Sequence, residues 1–231
     1  SVFSHVSLFL TDTPTTEFYT LPLHAALPIF FGVVGPEWDA LRKVFNDDLV
    51  RARAVNRLID PNQRVVDIGT GTGILALELA RLGIHVIGVD GSNRMLDAAR
   101  KNLADDDLVP EGLVEFRSGD AHALPLEDGE VDAAFAHMVL QYLARPEEAL
   151  SEMCRVVRPG GSIVVVDFVQ HELVWMREEL GVKSLGFEVA QVRQWISDLD
   201  MIDLRIRVEA PAATGRDLPS TFTATARRRS A

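Results

Sequence analysis

Short apolar runs rich in β-branched residues alternate, from Arg64 onward, with segments whose apolar positions recur every three or four residues. Residues 64–68, 84–89, 113–117, 131–136 and 162–168 read as strands, and residues 73–82, 94–103 and 147–157 between them as helices. Strands separated by helices imply right-handed crossovers and therefore a parallel sheet. The pattern changes after a further helix at 189–199. Strands at 202–208 and 221–226 follow one another with only a turn between them, carrying Pro211, Gly215 and Pro219. Two such strands predict an antiparallel hairpin at the sheet edge. Upstream, Trp38, Leu41, Phe45 and Leu49 recur at helical spacing, so residues 37–59 read as one or two helices before the break at Pro61.

The first thirty residues do not share this patterning. They hold two charged side chains, Asp12 and Glu17, and the first basic residue is Arg42. A secretory signal needs a basic start and one continuous apolar stretch, which Pro14, Pro22 and Pro28 interrupt. The run from Thr11 to Ile29 resembles translated sequencing-adapter read-through, so residues 1–30 are expected to be a non-native or disordered leader. No role is assigned to His5 or His24.

Composition narrows the function classes. A chain of 231 residues, 47% hydrophobic and 25% charged, suits one globular α/β domain rather than disorder. Its formal net charge of -11 argues against nucleic acid, which calls for clustered Lys and Arg. The one dense basic run, Arg227, Arg228 and Arg229, reads as a solvated tail on the last strand. The single cysteine, Cys154, allows no intrachain disulfide and sits in a helical pattern as a buried small apolar residue. No apolar run approaches a membrane span. A cytoplasmic chain without membrane or nucleic-acid partners, monomeric or homodimeric, is expected.

The chemistry concentrates at Val65-Val66-Asp67-Ile68-Gly69-Thr70-Gly71-Thr72-Gly73, which leads directly into the helical Ile74-Leu75-Ala76-Leu77. A glycine turn between strand and helix lets a ligand approach the backbone, beside amides left free at the helix start. Two ligand classes compete. A dinucleotide site wants G-x-G-x-x-G, and the third glycine would fall at Ile74. The spacing here is G-x-G-x-G, and Asp67 would repel a pyrophosphate while suiting the ammonium of S-adenosylmethionine, directly or through water. A second acid, Asp90, ends the next strand before Gly91 and Ser92, where it can accept hydrogen bonds from both ribose hydroxyls. Helix capping is its competing role, and Ser92 fills that role as well.

From Arg64 to Phe168 the sequence resembles class I S-adenosylmethionine-dependent methyltransferases. Asp67, Gly69, Gly71 and Gly73 match the family's acidic glycine motif, Asp90 its ribose acid, and Asp120 in Ser118-Gly119-Asp120-Ala121 its adenine-flanking acid. Val131-Asp132-Ala133-Ala134-Phe135-Ala136-His137-Met138 matches its fourth strand, and Arg155-Val156-Val157-Arg158-Pro159-Gly160-Gly161 the turn before its fifth. Asp167-Phe168-Val169-Gln170-His171, Arg177-Glu178-Glu179, Leu185-Gly186-Phe187 and the segment Glu37 to Arg42 look like bacterial methyltransferases fused behind arsenical-repressor-type DNA-binding domains. The chain leaves no room for such a domain, which points to a stand-alone relative or a truncated product.

The resemblance implies a Rossmann-like, doubly wound α/β fold of seven strands, mostly parallel, with one antiparallel strand near the C-terminal edge. Residues 61–231 would form the cofactor-binding domain and residues 31–60 a helical cap, with Trp38 and Arg42 closing over the cofactor. S-adenosylmethionine would be bound by Asp67, Gly69, Thr70, Gly71, Gly73, Asp90, Gly91, Met95, Asp120, Ala121, His137 and Met138. The sulfonium is already an activated donor, so positioning matters more than acid–base chemistry. His137, at the carboxyl end of the fourth strand, is the candidate base or substrate contact; His171 reads as a loop histidine. Asp105-Asp106-Asp107 reads as a solvated loop, and no metal site is expected. The expected activity is methyl transfer to a small-molecule acceptor. The alternatives are a non-catalytic S-adenosylmethionine sensor and a nicotinamide-dependent oxidoreductase, which Ile74 opposes.

Overall fold

A computed structural model describes residues 63–210 and 218–230. The chain divides into two units, residues 1–51 and 52–231, and all described residues belong to the second. The leader expected at 1–30, the helical cap at 31–60 with Trp38 and Arg42, and the turn residues Pro211 and Gly215 lie outside the described residues.

Seven strands form one sheet in the order β3-β2-β1-β4-β5-β7-β6. The first half alternates strand and helix: β1 (Arg64–Ile68), α1 (Ile74–Arg81), β2 (His85–Asp90), α2 (Asn93–Ala104), β3 (Val114–Ser118) and β4 (Val131–His137). Then come α3 (Pro146–Val156), β5 (Val157–Phe168), α4 (Trp175–Leu180), α5 (Val189–Ser197), β6 (Met201–Glu209) and β7 (Thr221–Arg228). Strands β1 to β5 pair in parallel, while β7 runs antiparallel to both β5 and β6. The expected hairpin is therefore present, inserted so that its second strand lies inside the sheet and its first forms the edge.

Both faces of the sheet are covered because successive strand residues point to opposite sides. Val65 and Val86 pack with Ala76 and Ala80 of α1, whereas Val66, Ile68, Ile87 and Val89 join Leu150, Met153, Val192 and Ile196 of α3 and α5. Cys154 is buried in this second core, and burial pushes its thiol upward, as a packing residue should behave. Strand order reverses between β1 and β4, and a crevice opens there at the carboxyl ends of the strands, where doubly wound sheets bind ligands.

Four details differ from the sequence expectations. Strand β5 starts at Val157, not Ser162, because Val157 already pairs with Val131 and a register irregularity absorbs the offset. The basic run is no solvated tail: the Arg228 guanidinium donates to the carbonyls of Arg155 and Val157 at 3.1 and 2.6 Å, and Arg229 pairs with Asp200. Asp106 is likewise engaged, in an ion pair with Arg81 at 2.5 Å. The short helix α4 and a 3-10 turn at Leu140–Tyr142 complete the list. Both are too brief to leave a periodic signal.

Candidate active site

The glycine loop is held by its own backbone. Gly69 and Thr70 donate to the Val89 carbonyl, and Gly73 donates to Thr70. Gly71 donates instead to a side chain, Oδ2 of Asp90, at 2.9 Å. Four amides of the loop itself are thus engaged within the fold. The first and third glycines are explained by position. Gly69 (φ +67) faces Val139 so closely that a Cβ would lie 2.4 Å from its Cγ2. A Cβ on Gly73 (φ +81) would meet Phe116 and Ala99 at 3.0 and 3.1 Å, so Gly73 performs the helix-packing role that a glycine at position 74 would have filled.

Asp90 ends β2 with both carboxylate oxygens anchored. Oδ1 accepts from the Ser92 amide at 2.8 Å while Oδ2 accepts from Gly71. Helix α2 is capped by Ser92, whose hydroxyl accepts from the Met95 amide at 3.4 Å. Asp90 is therefore not the cap. Each of its oxygens keeps acceptor capacity, and the side chain is fixed on the cleft wall.

Asp67 occupies a different position from the one its motif suggests. It is 3% exposed, beneath the loop and off the cleft wall, and Oδ2 accepts the Thr70 hydroxyl at 2.7 Å. Burial pushes its carboxyl up to about 6; the Thr70 hydroxyl opposes the rise and the Asp90 charge adds to it. In this arrangement Asp67 shapes the loop through Thr70 and makes no direct wall contact. A second buried carboxyl, Asp167 on β5, is likewise raised to about 6 by burial, although it accepts from the amides of Phe168 and Gln141.

The cleft has a volume of about 770 Å³ and is lined by residues that follow four strands. Gly69 and Gly71 come from the end of β1; Asp90, Gly91, Ser92 and Met95 from β2; Ser118, Gly119, Asp120 and Ala121 from β3; Met138, Val139, Tyr142 and Leu143 from β4. Eight expected residues are thereby brought together: Gly69, Gly71, Asp90, Gly91, Met95, Asp120, Ala121 and Met138. Asp67, Thr70, Gly73 and His137 are not on the wall. His137 is the last residue of β4 and exposed, one residue before the wall begins at Met138. Met138 adopts φ 56, a left-handed conformation rare for a side chain of its size, and such strain collects at functional sites.

Sequence reasoning missed Val139, Tyr142 and Leu143, which carry no polar signature. It also missed the fixing of Asp120. Oδ1 of Asp120 accepts the amide of His122 at 2.9 Å and lies 2.7 Å from the His122 Nδ1. These contacts hold the Asp120 carboxyl below its usual range, the backbone hydrogen bond foremost. The rest of that loop is clamped from α3, where Arg155 donates to the carbonyls of Leu126 and Leu124 and pairs with Glu152 and Asp128. Glu152 in turn accepts the Leu124 amide at 2.8 Å. Among the described residues no group of His, Cys, Asp and Glu side chains is arranged to hold a metal ion, and no helix is long and apolar enough to cross a membrane.

Comparison with known proteins bears on the class of this chain. Residues 66–165 match the family described as the methyltransferase domain. The chain is 38% identical over 132 residues to the demethylmenaquinone methyltransferase of Clavibacter sepedonicus, covering 56% of this chain and 51% of that protein. It is 33% identical over 168 residues to the malonyl-acyl-carrier-protein O-methyltransferase of Methylococcus capsulatus, covering 72% and 57%. The chain thus spans about half the length of these curated relatives. A solved S-adenosylmethionine-dependent methyltransferase from Methanosarcina mazei superposes with a TM-score of 0.65 at 19% identity, covering 77% of this chain and 98% of that one, which shows a shared fold. The match to methyltransferase domains covers residues 66–165, under half of this chain.

Proposed function

We propose that the protein transfers a methyl group from S-adenosylmethionine to a small-molecule acceptor at the carboxyl edge of the sheet. The observation that carries this reading is the doubly anchored Asp90 on the wall of a cleft whose glycine-loop amides are already engaged. Such a wall offers acceptors for a ribose diol.

When bound, the cofactor supplies an activated methyl on sulfur. The acceptor would take that methyl group and leave S-adenosylhomocysteine. The protein aligns the reactants. Asp90 would hold the ribose, and the Ser118–Ala121 segment and Met95, which line the same cleft, would bound the sugar and base. Met138, Val139 and Tyr142 bound the acceptor side. His137, exposed beside Met138, is the candidate to accept the proton that the acceptor gives up.

The relatives' printed acceptors, demethylmenaquinone and malonyl-acyl-carrier protein, differ, so the shared cofactor half does not fix the acceptor. Within the class, the residues from Asp167 to His171 support kinship with methyltransferases fused to arsenical-repressor-type regulators. Incubation with methyl-labelled S-adenosylmethionine and a metabolite pool tests the activity. Label in a small molecule together with S-adenosylhomocysteine is expected. Cofactor binding without turnover would replace the enzyme by a sensor.

A further inference from the structure

The cleft crosses three neighbouring strands in the order β1, β2, β3. In the reading above, a ligand whose ribose lies on Asp90 carries its base over the end of β3, where Asp120 and Ala121 line the cleft. Asp120 is well exposed there, with 68% of its side chain open, and a free exposed carboxylate would sample many orientations. Here it does not. Its Oδ1 takes both the amide and the Nδ1 of His122, and the turn is closed by the Ala123 amide on the Asp120 carbonyl at 3.0 Å.

The His122 imidazole is 16% exposed, so it forms a packed backing to the carboxylate. A carboxylate can only accept, so Nδ1 carries the proton in this pair. Nε2 is buried without a partner among the described residues. A buried nitrogen left unsatisfied costs stability, and its retention calls for a compensating role. The other charge acting on the Asp120 carboxylate is Arg145, itself paired with Glu148 at 2.5 Å. No described residue donates to Oδ2 of Asp120.

We propose that His122 is a positioning residue that sets base selectivity: by pinning Oδ1 of Asp120 it aims Oδ2 at the exocyclic amino group of the adenine. The inference rests on the S-adenosylmethionine reading above. Adenine presents an amino donor at that edge. A hypoxanthine base presents a carbonyl oxygen there, which a fixed carboxylate repels. A site built to accept a donor rejects the analogue lacking it, provided the acceptor cannot swing away.

The test is calorimetric titration of the full chain with S-adenosylhomocysteine and with S-inosylhomocysteine, for wild type, His122→Ala, His122→Asn and His122→Gln. Wild type is expected to prefer the adenosyl compound by about tenfold or more, the scale of one charge-assisted hydrogen bond in a partly open site. His122→Ala and His122→Gln should reduce the ratio to about threefold or less. The Asn amide nitrogen can take the place of Nδ1, so His122→Asn should keep most of the preference. A merely structural histidine would lower affinity for both compounds alike and leave the ratio unchanged in every variant, which would overturn the inference. So would loss of the ratio in His122→Asn to the same degree as in His122→Ala. Thermal melts of the three variants show which are folded, and the Asn and Gln variants carry the comparison if Ala unfolds. A wild-type chain that binds neither compound would overturn the cofactor reading itself.

Discussion

The Asp90 carboxylate accepts the Gly71 amide at 2.9 Å, so the acid that ends β2 also fixes the glycine loop that ends β1. The two halves of the sequence motif, nineteen positions apart, are one structural unit. In the proposed site a ribose arriving at Asp90 would meet a carboxylate already anchored by the amides of Gly71 and Ser92.

Replacing Asp90 tests this coupling. Asp90→Ala removes the acceptors for the ribose and for Gly71, and should raise the dissociation constant for S-adenosylhomocysteine at least about tenfold. Asp90→Asn keeps one acceptor oxygen and should fall between wild type and Ala. Calorimetry measures both, with melts to follow the loop. Wild-type affinity in both variants would remove Asp90 from the site.

The buried carboxyl of Asp67 predicts a pH dependence of stability. Its folded-state value is raised to about 6 from 3.8, so its ionised form is disfavoured by folding. The stability it contributes is complete below about pH 4 and is lost as pH rises through 6. Asp67→Asn keeps an acceptor for the Thr70 hydroxyl and removes the titration. Urea denaturation across pH 4 to 7 should show the wild type losing stability relative to the variant by on the order of 3 kcal/mol. Parallel profiles would contradict the buried, raised carboxyl.

The contact of Gly69 with Val139 predicts a ranking of alanine substitutions. Gly69→Ala forces both a left-handed alanine and a methyl 2.4 Å from Val139 Cγ2, and should destabilise by about 1–3 kcal/mol and weaken cofactor binding. Gly71→Ala (φ +56) meets nothing nearer than the Gly69 carbonyl at 3.9 Å, and should carry only the conformational cost of about 1–2 kcal/mol. The Gly69→Ala/Val139→Ala double variant should recover part of the loss, measured by melting temperature and cofactor affinity together.

Arg155 clamps the loop that carries Asp120. Arg155→Met should unfasten the carbonyls of Leu124 and Leu126 and leave Glu152 without its partner. Hydrogen exchange is expected to speed up over residues 119–128, with a fall in stability of about 1–3 kcal/mol. Unchanged exchange in that segment would show that the loop holds itself.

Much of this was legible in the chain. The apolar runs and the helical spacing between them foretold all seven strands, and Gly69 to Gly73 with Asp90 pointed to the carboxyl edge where the cleft lies. What could not be read were contacts that join distant segments. Asp67 carries the motif but lies behind the loop, because only the fold shows which way its side chain faces. The role of Arg228 needed the carbonyls of Arg155 and Val157, over seventy positions away. His122 drew no reading from the sequence, and its role shows only where the fold sets its ring against Asp120. Val139 and Tyr142 line the cleft through shape alone, which composition cannot signal.

The central claim is that the cleft at the β1, β2 and β3 ends takes a sulfonium nucleoside and not a dinucleotide. Calorimetric titration of the purified chain with S-adenosylmethionine, S-adenosylhomocysteine and NAD tests it directly. Saturable one-to-one binding of both sulfur compounds, weakened in Asp90→Ala, and no heat from NAD is the predicted result. Tight binding of NAD with no response to either sulfur compound would contradict it.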